Sequence, residues 1–335
     1  MKKFTVLMLC FGFLAANATS WRVNNNPAID ADFSTFEAAV AGASAGDTLY
    51  MEGSNLTYGE GVLTKPLVMI GPGFFLTEND STQVSNLEAN FETFVIDSTA
   101  SGSRVYGCEF DDSVEINGSN VIFARNWVYG ISNYGTGIKV GEENEVINVS
   151  IVQNVCNNIK GGYNSYDPAS NNVLVANNII GGKIQFHSLS TLVITNNVVK
   201  GEVNVYNSIV KNNIHHYSPG FGFRVNEGNI FEYNLTAKTT PTPGIGNIGD
   251  IDPNEVFADF GGTLGYSTDG KWQLKEGSPA IGAGENGIDC GAFGGTSPYV
   301  LSGLPAVPHI YEAIVPTSGS AASGLPVIIK VKSQN

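Results

Sequence analysis

Charged residues are scarce in this sequence of 335 residues, at 14%, with 17 lysines and arginines against 31 aspartates and glutamates. Ordinary globular domains carry about 25% charged residues. Chains that stay disordered combine high charge with few apolar residues, whereas 42% of these residues are hydrophobic, so disorder of the whole chain is excluded. A net charge of -14 argues against a nucleic-acid partner and against anionic membrane surfaces, because both attract basic patches.

Long hydrophobic runs are also missing, apart from one short run at the N-terminus. Lys2 and Lys3 precede an apolar stretch, residues 4–16, which is too short to span a bilayer. Residues 16–18 read Ala-Asn-Ala, the pattern of small residues at a cleavage site. We therefore predict a signal peptide over residues 1–18 and a secreted or cell-surface protein with no transmembrane segment. A lipid anchor on Cys10 is a weaker alternative.

Cysteine is rare as well. Cys108, Cys156 and Cys290 would remain after cleavage. An odd and sparse set does not form a disulfide framework, even in an oxidising compartment. We expect these three thiols to be free and buried as small hydrophobic groups.

The middle of the chain contains an irregular repeat. In each copy, two or three residues of a short apolar strand precede an Asn and a further apolar residue. The last Asn of each copy lies at position 126, 154, 178, 197, 213 or 234, and residues 104–108 look like an earlier copy with Gly at the turn. The apolar residues before and after the Asn form two short strands that meet at a corner, and another short strand separates the copies. Each turn of the chain therefore holds three strands. This pattern predicts a parallel β-helix, in which stacked Asn residues form a hydrogen-bonded ladder at one corner.

The flanks of the repeat fit the same architecture. Residues 32–43 have the pattern of an amphipathic helix, with Phe33, Phe36, Ala39 and Val40 on one face and Asp32 as its N-cap. Such a helix would cover the exposed first coil of a solenoid. We therefore predict an all-β fold, a right-handed parallel β-helix with an N-terminal helix cap over residues 19–295.

Motifs at both ends of this region match a known group of proteins. Residues 45–48 read Ala-Gly-Asp-Thr, residues 65–71 read Lys-Pro-Leu-Val-Met-Ile-Gly, and residues 277–284 read Gly-Ser-Pro-Ala-Ile-Gly-Ala-Gly, followed by Asp-Cys-Gly-Ala at 289–292. In these motifs the chain resembles secreted right-handed parallel β-helix proteins of the pectate-lyase-like group. The resemblance implies the fold and export from a Gram-negative bacterium. It singles out no activity, because the group includes polysaccharide lyases, hydrolases and members without a known reaction.

The last part of the chain, residues 296–335, departs in composition. Four prolines punctuate two short apolar segments, around residues 309–315 and 325–331. We predict a small antiparallel β appendage there. Attachment of the protein to a cell surface through this tail is the alternative.

Polar residues alternate with apolar ones along the strand that separates successive Asn copies. If the apolar residues point inward, the intervening side chains form one outward column on coils about 4.8 Å apart. The column consists of Glu115, Lys139, Gln185, Asn204 and Arg224. Asp97, Asn117, His187, Tyr206 and Asn226 flank it on one side, and Lys183 and Glu202 flank it on the other. Val225 is among the residues expected to point inward, and an ill-defined rung is expected near residues 163–166.

Such a column suits an extended, hydroxyl-rich polymer, and the resemblance implies that this strand face is the substrate cleft. We predict a polysaccharide-binding site. Its residues are Glu115, Lys139, Lys183, Gln185, His187, Glu202, Asn204, Tyr206 and Arg224. The alternative is a non-catalytic cell-surface, adhesion or structural β-helix whose exposed face is merely polar.

The column leaves open whether the protein is an enzyme. In a polysaccharide lyase, Lys139, Lys183 or Arg224 would serve as base or carboxylate clamp. Oxygen ligands for Ca²⁺ would then come from side chains such as Glu115, Glu202 and Asn204. A hydrolase needs two carboxylates at a defined separation. Asp111 and Asp112, with Glu115 or Asp97, are the only such set, so the lyase is favoured.

Two other groups resemble metal sites only weakly. His215 and His216 lack a third ligand at a recognisable spacing. Residues 250–255 resemble a calcium loop but lack its Gly and downstream Glu, and the Asp252-Pro253 pair is explained better by the resemblance. No metal site is predicted at either place.

Overall fold

A computed structural model describes residues 18–130, 137–162, 167–217, 222–322 and 324–333. The predicted signal peptide, apart from Ala18, and the rung expected at 163–166 lie outside the described residues. The described chain forms a parallel β-helix with three long sheets. Sheet 1 contains Ser20–Val23, Thr48–Met51, Val68–Ile70, Arg104–Tyr106, Ile122–Ala124, Ser150–Val152, Val173–Ala176, Leu192–Thr195, Ile209–Lys211 and Ile230–Glu232.

The other two long sheets follow sheet 1 in each coil. Sheet 2 contains Asn90–Phe91, Glu109–Phe110, Trp127–Val128, Val155–Cys156, Ile179–Ile180, Val198–Val199, Ile214–His215 and Leu235–Thr236. Sheet 3 contains Gly61–Leu63, Phe94–Ile96, Val114–Ile116, Ile138–Val140, Ile159–Gly161, Ile184–Phe186 and Val203–Asn204. A short fourth sheet pairs Val146–Ile147 with Ser170–Asn171. The predicted fold is confirmed.

Alternation along the strands places one apolar set inside the coils. In sheet 3, Val114, Ile116, Ile138 and Val140 are all fully buried. Val225 was expected inside but is 64% exposed. The prediction was wrong because regular pairing ends there. Phe223 makes a single bridge to Val203, and the N–H of Asn226 then bonds back to the carbonyl of Arg224, so a tight turn centred on Val225 replaces the strand.

The corner between sheets 1 and 2 has the same conformation in successive coils. The residue before each ladder position has a positive φ, for example +59° at Gln153 and +55° at Asn177, with Gly107 at +67° in the early copy. The next residue is the ladder Asn. Asn154 Nδ2 donates to Asn178 Oδ1 at 3.0 Å, and the same step recurs from Asn126 to Asn234. The predicted ladder is therefore confirmed, and it extends one residue further, to Asn247.

The N-terminal cap differs from its prediction in where it begins. The α-helix spans Phe36–Gly42, and Thr35 is its N-cap, with Oγ1 accepting from the backbone N–H of Ala38 at 3.1 Å. Asp32 instead accepts from the N–H of Arg22 at 2.7 Å, so it stabilises the first strand. Phe36, Ala39 and Val40 of the predicted apolar face lie in the core, whereas Phe33 precedes the helix and is only partly buried.

The chain after sheet 2 turns back over the outside of that sheet. This fold-back segment, residues 251–304, includes a short helix, Pro253–Val256, and three 3₁₀ turns, Gly270–Trp272, Glu285–Gly287 and Leu301–Gly303. Another 3₁₀ turn, Ser98–Ala100, follows a strand of sheet 3. Apolar residues of the segment, among them Phe257 and Tyr299, pack against Ile179 and Val198 in a second core outside the coils.

Corner residues before the ladder hold the fold-back segment in place. Arg125 Nη1 donates to the carbonyl of Leu304 at 2.8 Å, and Asn177 Nδ2 donates to the carbonyl of Ala292 at 2.9 Å. Beyond this segment, His309–Ile314 pairs with Ile328–Lys332 as an antiparallel hairpin, as predicted. The three cysteines are free and buried, also as predicted.

Candidate functional site

The outward side chains of sheet 3 follow the predicted column, with one addition. Residue pairing places Glu115 beside Lys139, Lys139 beside Lys160, Lys160 beside Gln185, and Gln185 beside Asn204. The bridge between Val203 and Phe223 continues this register to Arg224. These six side chains span about 24 Å along the axis. Lys160 was missed because residues 157–161, Asn-Asn-Ile-Lys-Gly, follow a ladder corner after only a short interval, without a recognisable alternating strand.

Carboxylates neutralise the two ends of the column. Lys139 Nζ lies 2.9 Å from Glu115 Oε1 and 3.6 Å from Glu142 Oε2. Burial alone would lower the pKa of Lys139, but these two carboxylates raise it above its usual value. Arg224 pairs with Glu202 rather than leaving that carboxylate to Lys183. A protonated, paired cation accepts no proton, so neither Lys139 nor Arg224 is arranged as a base.

The centre of the column carries excess positive charge. Lys160 and Lys183 have no carboxylate within ion-pair distance in the described part of the chain. Partial burial lowers the pKa of Lys160 and the charge of Lys183 lowers it further, while Glu142 opposes the shift and Lys139 adds to it. This centre can therefore attract an anion, and Lys160 loses its proton more readily than an ordinary lysine.

The remaining predicted residues differ in accessibility. Gln185 and His187 are each only 8% exposed, and His187 Nδ1 accepts from the backbone N–H of Leu189 at 3.1 Å. Asn204 Oδ1 accepts from Asn226 Nδ2 at 2.8 Å, and Tyr206 is half-buried. The geometry thus offers the two central lysines, rather than the whole column, to a ligand.

The oxygen ligands suggested for Ca²⁺ do not converge. Glu115 and Asn204 are four coils apart, about 19 Å along the axis. Glu202 precedes the strand of Asn204 and is held by Arg224. In the described ranges, no group of three or more His, Cys, Asp or Glu side chains is close enough to hold a metal ion.

The carboxylates suggested for hydrolysis have structural roles. Asp97 accepts from the N–H of Thr99 at 2.8 Å and from its hydroxyl at 2.6 Å, which lowers the pKa of the carboxyl group. Asp111 accepts from Asn90 Nδ2 at 2.9 Å, and Ser113 donates to Asp112 at 3.3 Å. A general acid needs a raised pKa, so Asp97 is unsuited to that role.

The two weak metal candidates are explained by packing. His215 and His216 are buried, and Asp252 caps the short helix by accepting from the N–H of Asn254 at 2.9 Å. No residue of the fold-back segment was predicted to border a cavity, yet this segment lines three of them.

A cavity of about 760 Å³ lies over the outer face of sheet 1. Its apolar lining includes Ile122, Val152 and Leu174. Its charged side chains are already bound, since Lys211 pairs with Glu285 at 2.6 Å and Arg125 is bonded to Gln153 at 2.7 Å. These groups stabilise the fold-back segment, so the sheet 3 face remains the better candidate for a polar ligand.

Comparisons with known proteins leave the family open. No protein-family model and no curated protein matches this chain. The described residues contain no helix of the length and apolar character that crossing a bilayer requires. The function must therefore be argued from the surface itself.

Proposed function

We propose that this protein is exported and binds an acidic extracellular polysaccharide along the outer face of sheet 3. The observation that carries the proposal is the pair of lysines, Lys160 and Lys183, which lack carboxylate partners among the described residues. They lie at the centre of a regular column on a protein whose net charge is -14. Local positive charge of this kind favours an anionic ligand and speeds its encounter with the protein.

Cleavage by elimination is the chemistry that the same face could add. The deprotonated form of the Lys160 amine would remove the proton next to a uronate carboxylate. The electron pair would form a double bond as the bond to the leaving sugar oxygen breaks, and water would give that oxygen a proton. The proton would remain on Lys160, and Lys183 would offset the carboxylate charge. The lowered pKa of Lys160 supports this role over the same role for Lys139 or Arg224.

Titration calorimetry against acidic and neutral glycans tests the binding proposal. We expect wild-type protein to bind acidic polymers, and Lys160→Gln with Lys183→Gln to weaken binding about tenfold or more. Lys275→Gln is the matched control, because Lys275 is already paired with Glu255 away from sheet 3. Equal affinity in all variants would reject the site. The ultraviolet absorbance of unsaturated uronates, measured in parallel, reports elimination.

An attachment role is favoured by a different observation. The C-terminal hairpin exposes apolar side chains on both strands, including Ile314, Ile328, Ile329 and Val331, each at least half exposed. Exposed apolar clusters mark interaction surfaces. In this second candidate function, the β-helix is a rigid spacer and the hairpin holds it at a surface.

Deletion of the hairpin tests the attachment role. Leu304 is 3% exposed and His309 is 6% exposed, so a deletion should begin after these buried residues. Removing residues 310–335 is expected to abolish retention at the cell surface while circular dichroism stays unchanged. Full retention of the truncated protein would reject this role without affecting the polysaccharide proposal.

A further inference from the structure

A cavity of about 610 Å³ opens between the outer face of sheet 2 and the fold-back segment, away from the sheet 3 column. Aromatic rings form much of its wall. They belong to Trp127, Tyr129, Tyr217, Phe260 and Trp272. The lining also includes the aliphatic side chains of Val155 and Ile179 and two uncharged polar ones, Asn157 and Thr268. Ligand cavities characteristically combine such an apolar lining with a few placed polar groups.

The charges at this cavity have one sign. Lys200 and Lys271 are its only charged lining residues within the described chain, and no Asp or Glu lines it there. Lys200 Nζ lies 5.6 Å from the ring centre of Tyr217, and Lys271 Nζ lies 5.4 Å from that of Trp272. Neither lysine has an ion-pair partner among the described residues. Because the protein is strongly acidic overall, this arrangement favours an anionic ligand.

His216 also lines this cavity and carries an unsatisfied polar atom. The residue is 7% exposed, its ring lies 4.7 Å from that of Trp272, and its Nδ1 has no hydrogen-bond partner in the described part of the structure. Burial lowers the pKa of His216 to about 3, helped by His215, Lys200 and Lys271, so the ring is neutral. A buried nitrogen without a partner is costly. A ligand hydroxyl satisfies it in either tautomer, because a hydroxyl both donates and accepts.

We propose that this cavity binds a small aromatic carboxylate that carries a ring hydroxyl. The ligand ring packs among Trp127, Tyr217 and Trp272, the carboxylate meets the two ammonium groups, and the hydroxyl bonds His216. A sugar acid fits less well, since Asn157 and Thr268 offer partners to only some of its hydroxyls and the others would be desolvated against apolar side chains. A neutral aromatic molecule would leave both lysines unused.

Titration calorimetry with para-hydroxybenzoate tests the proposal on the full chain. We expect one binding site on the wild-type protein. Combining Lys200→Gln with Lys271→Gln should weaken binding about tenfold or more. The matched control, Lys183→Gln on sheet 3, should bind the ligand as the wild type does. In His216→Phe, the preference for para-hydroxybenzoate over benzoate should disappear, because the hydroxyl loses its partner.

Four results would overturn the proposal: no binding, equal affinity for para-hydroxybenzyl alcohol, equal affinity for galacturonate, or an unchanged affinity in the double lysine variant. The comparisons of ligands use only wild-type protein, so they decide the matter even if a variant fails to fold. The sheet 3 proposal is tested separately, because the Lys200 and Lys271 variants should bind acidic polysaccharide normally while the Lys160 and Lys183 variants should not.

Discussion

Lys139 and Lys160 are neighbours in the register of sheet 3, yet only Lys139 is bound by carboxylates. Glu115 and Glu142 raise the pKa of Lys139, whereas burial and the adjacent lysines lower that of Lys160 against a smaller opposing effect of Glu142. Adjacent rungs of one sheet therefore provide a neutralised cation and an available one. The column predicted from the sequence contained Lys139 but missed Lys160, and in the structure only their partners distinguish the two lysines.

Removing the carboxylate of Glu115 should release part of Lys139 to the ligand. We expect Glu115→Gln to bind an acidic polysaccharide about two- to fivefold more tightly than wild type, because exposed ion pairs contribute up to about 1 kcal/mol. Calorimetry at low salt measures the change. Glu312→Gln, at the hairpin pair with Lys330, is the control and should have no effect. Weaker binding in Glu115→Gln would mean that Glu115 itself contacts the ligand.

The Asn ladder should dominate the stability of the coil corners. Asn178 is fully buried, donates to the carbonyl of Ile151 at 2.8 Å, and accepts from the backbone and side chain of Asn154. We expect Asn178→Ala to lower the free energy of unfolding by about 2–4 kcal/mol, because it leaves buried groups unpaired. Asn148→Ala, in an exposed corner, should cost under about 1 kcal/mol. Urea unfolding measures both, and similar losses would contradict the role of burial.

One early corner requires glycine for two reasons. Gly107 has a φ of +67°, and a Cβ there would lie 2.8 Å from the carbonyl oxygen of Gly71. We expect Gly107→Ala to destabilise the protein by more than about 2 kcal/mol, through backbone strain together with this clash. Gly46→Ala is the control, since its φ is +90° but no atom lies within 4 Å of the added Cβ. It should cost about 1 kcal/mol. Equal losses in thermal unfolding would remove the clash from the explanation.

Buried histidines should make the protein less stable in acid. Burial lowers the pKa of His215 to about 4, helped by Lys238, and that of His216 to about 3. The unfolded chain takes up protons below about pH 6.5, so stability is fully present above that pH and is lost as the pH falls toward 3. We expect each histidine to lower the free energy of unfolding by about 3 kcal/mol between pH 6.5 and pH 4.

Glu109 opposes the histidines over part of this range. Burial and Glu88 raise the pKa of Glu109 to about 8, so its contribution favours the folded state at lower pH and is lost as the pH rises from about 4.5 through 8. Urea unfolding of wild type, His216→Phe and Glu109→Gln between pH 4 and 8 separates the two effects. His216→Phe should flatten the acid side of the profile. An unchanged acid side would show that His216 does not carry this dependence.

The sequence was sufficient for features that repeat and insufficient for those that depend on distant packing. The ladder from Asn126 to Asn234 was readable because each Asn follows the same short apolar strand. Lys160 was missed because its strand follows the preceding corner closely and shows no alternation. Asp32 looked like an N-cap, but its bond to Arg22 leaves that role to Thr35.

The sheet 2 cavity could not be predicted for a related reason. Trp127 and Trp272 are far apart in the chain. They line the same cavity only because the fold-back segment covers sheet 2. The pairing of Glu202 with Arg224 rather than Lys183 likewise depends on the path of a single coil. Periodicity identifies which residues share a face, whereas partners within that face are set by side-chain geometry.

Lysine acetylation footprinting with and without a bound acidic polysaccharide tests the central claim most directly. We predict that the polymer slows acetylation of Lys160 and Lys183, while Lys275 and Lys330, which are paired elsewhere with Glu255 and Glu312, react at unchanged rates. A polymer that binds the protein but leaves Lys160 and Lys183 fully reactive would contradict the account, because binding would then occur on another surface.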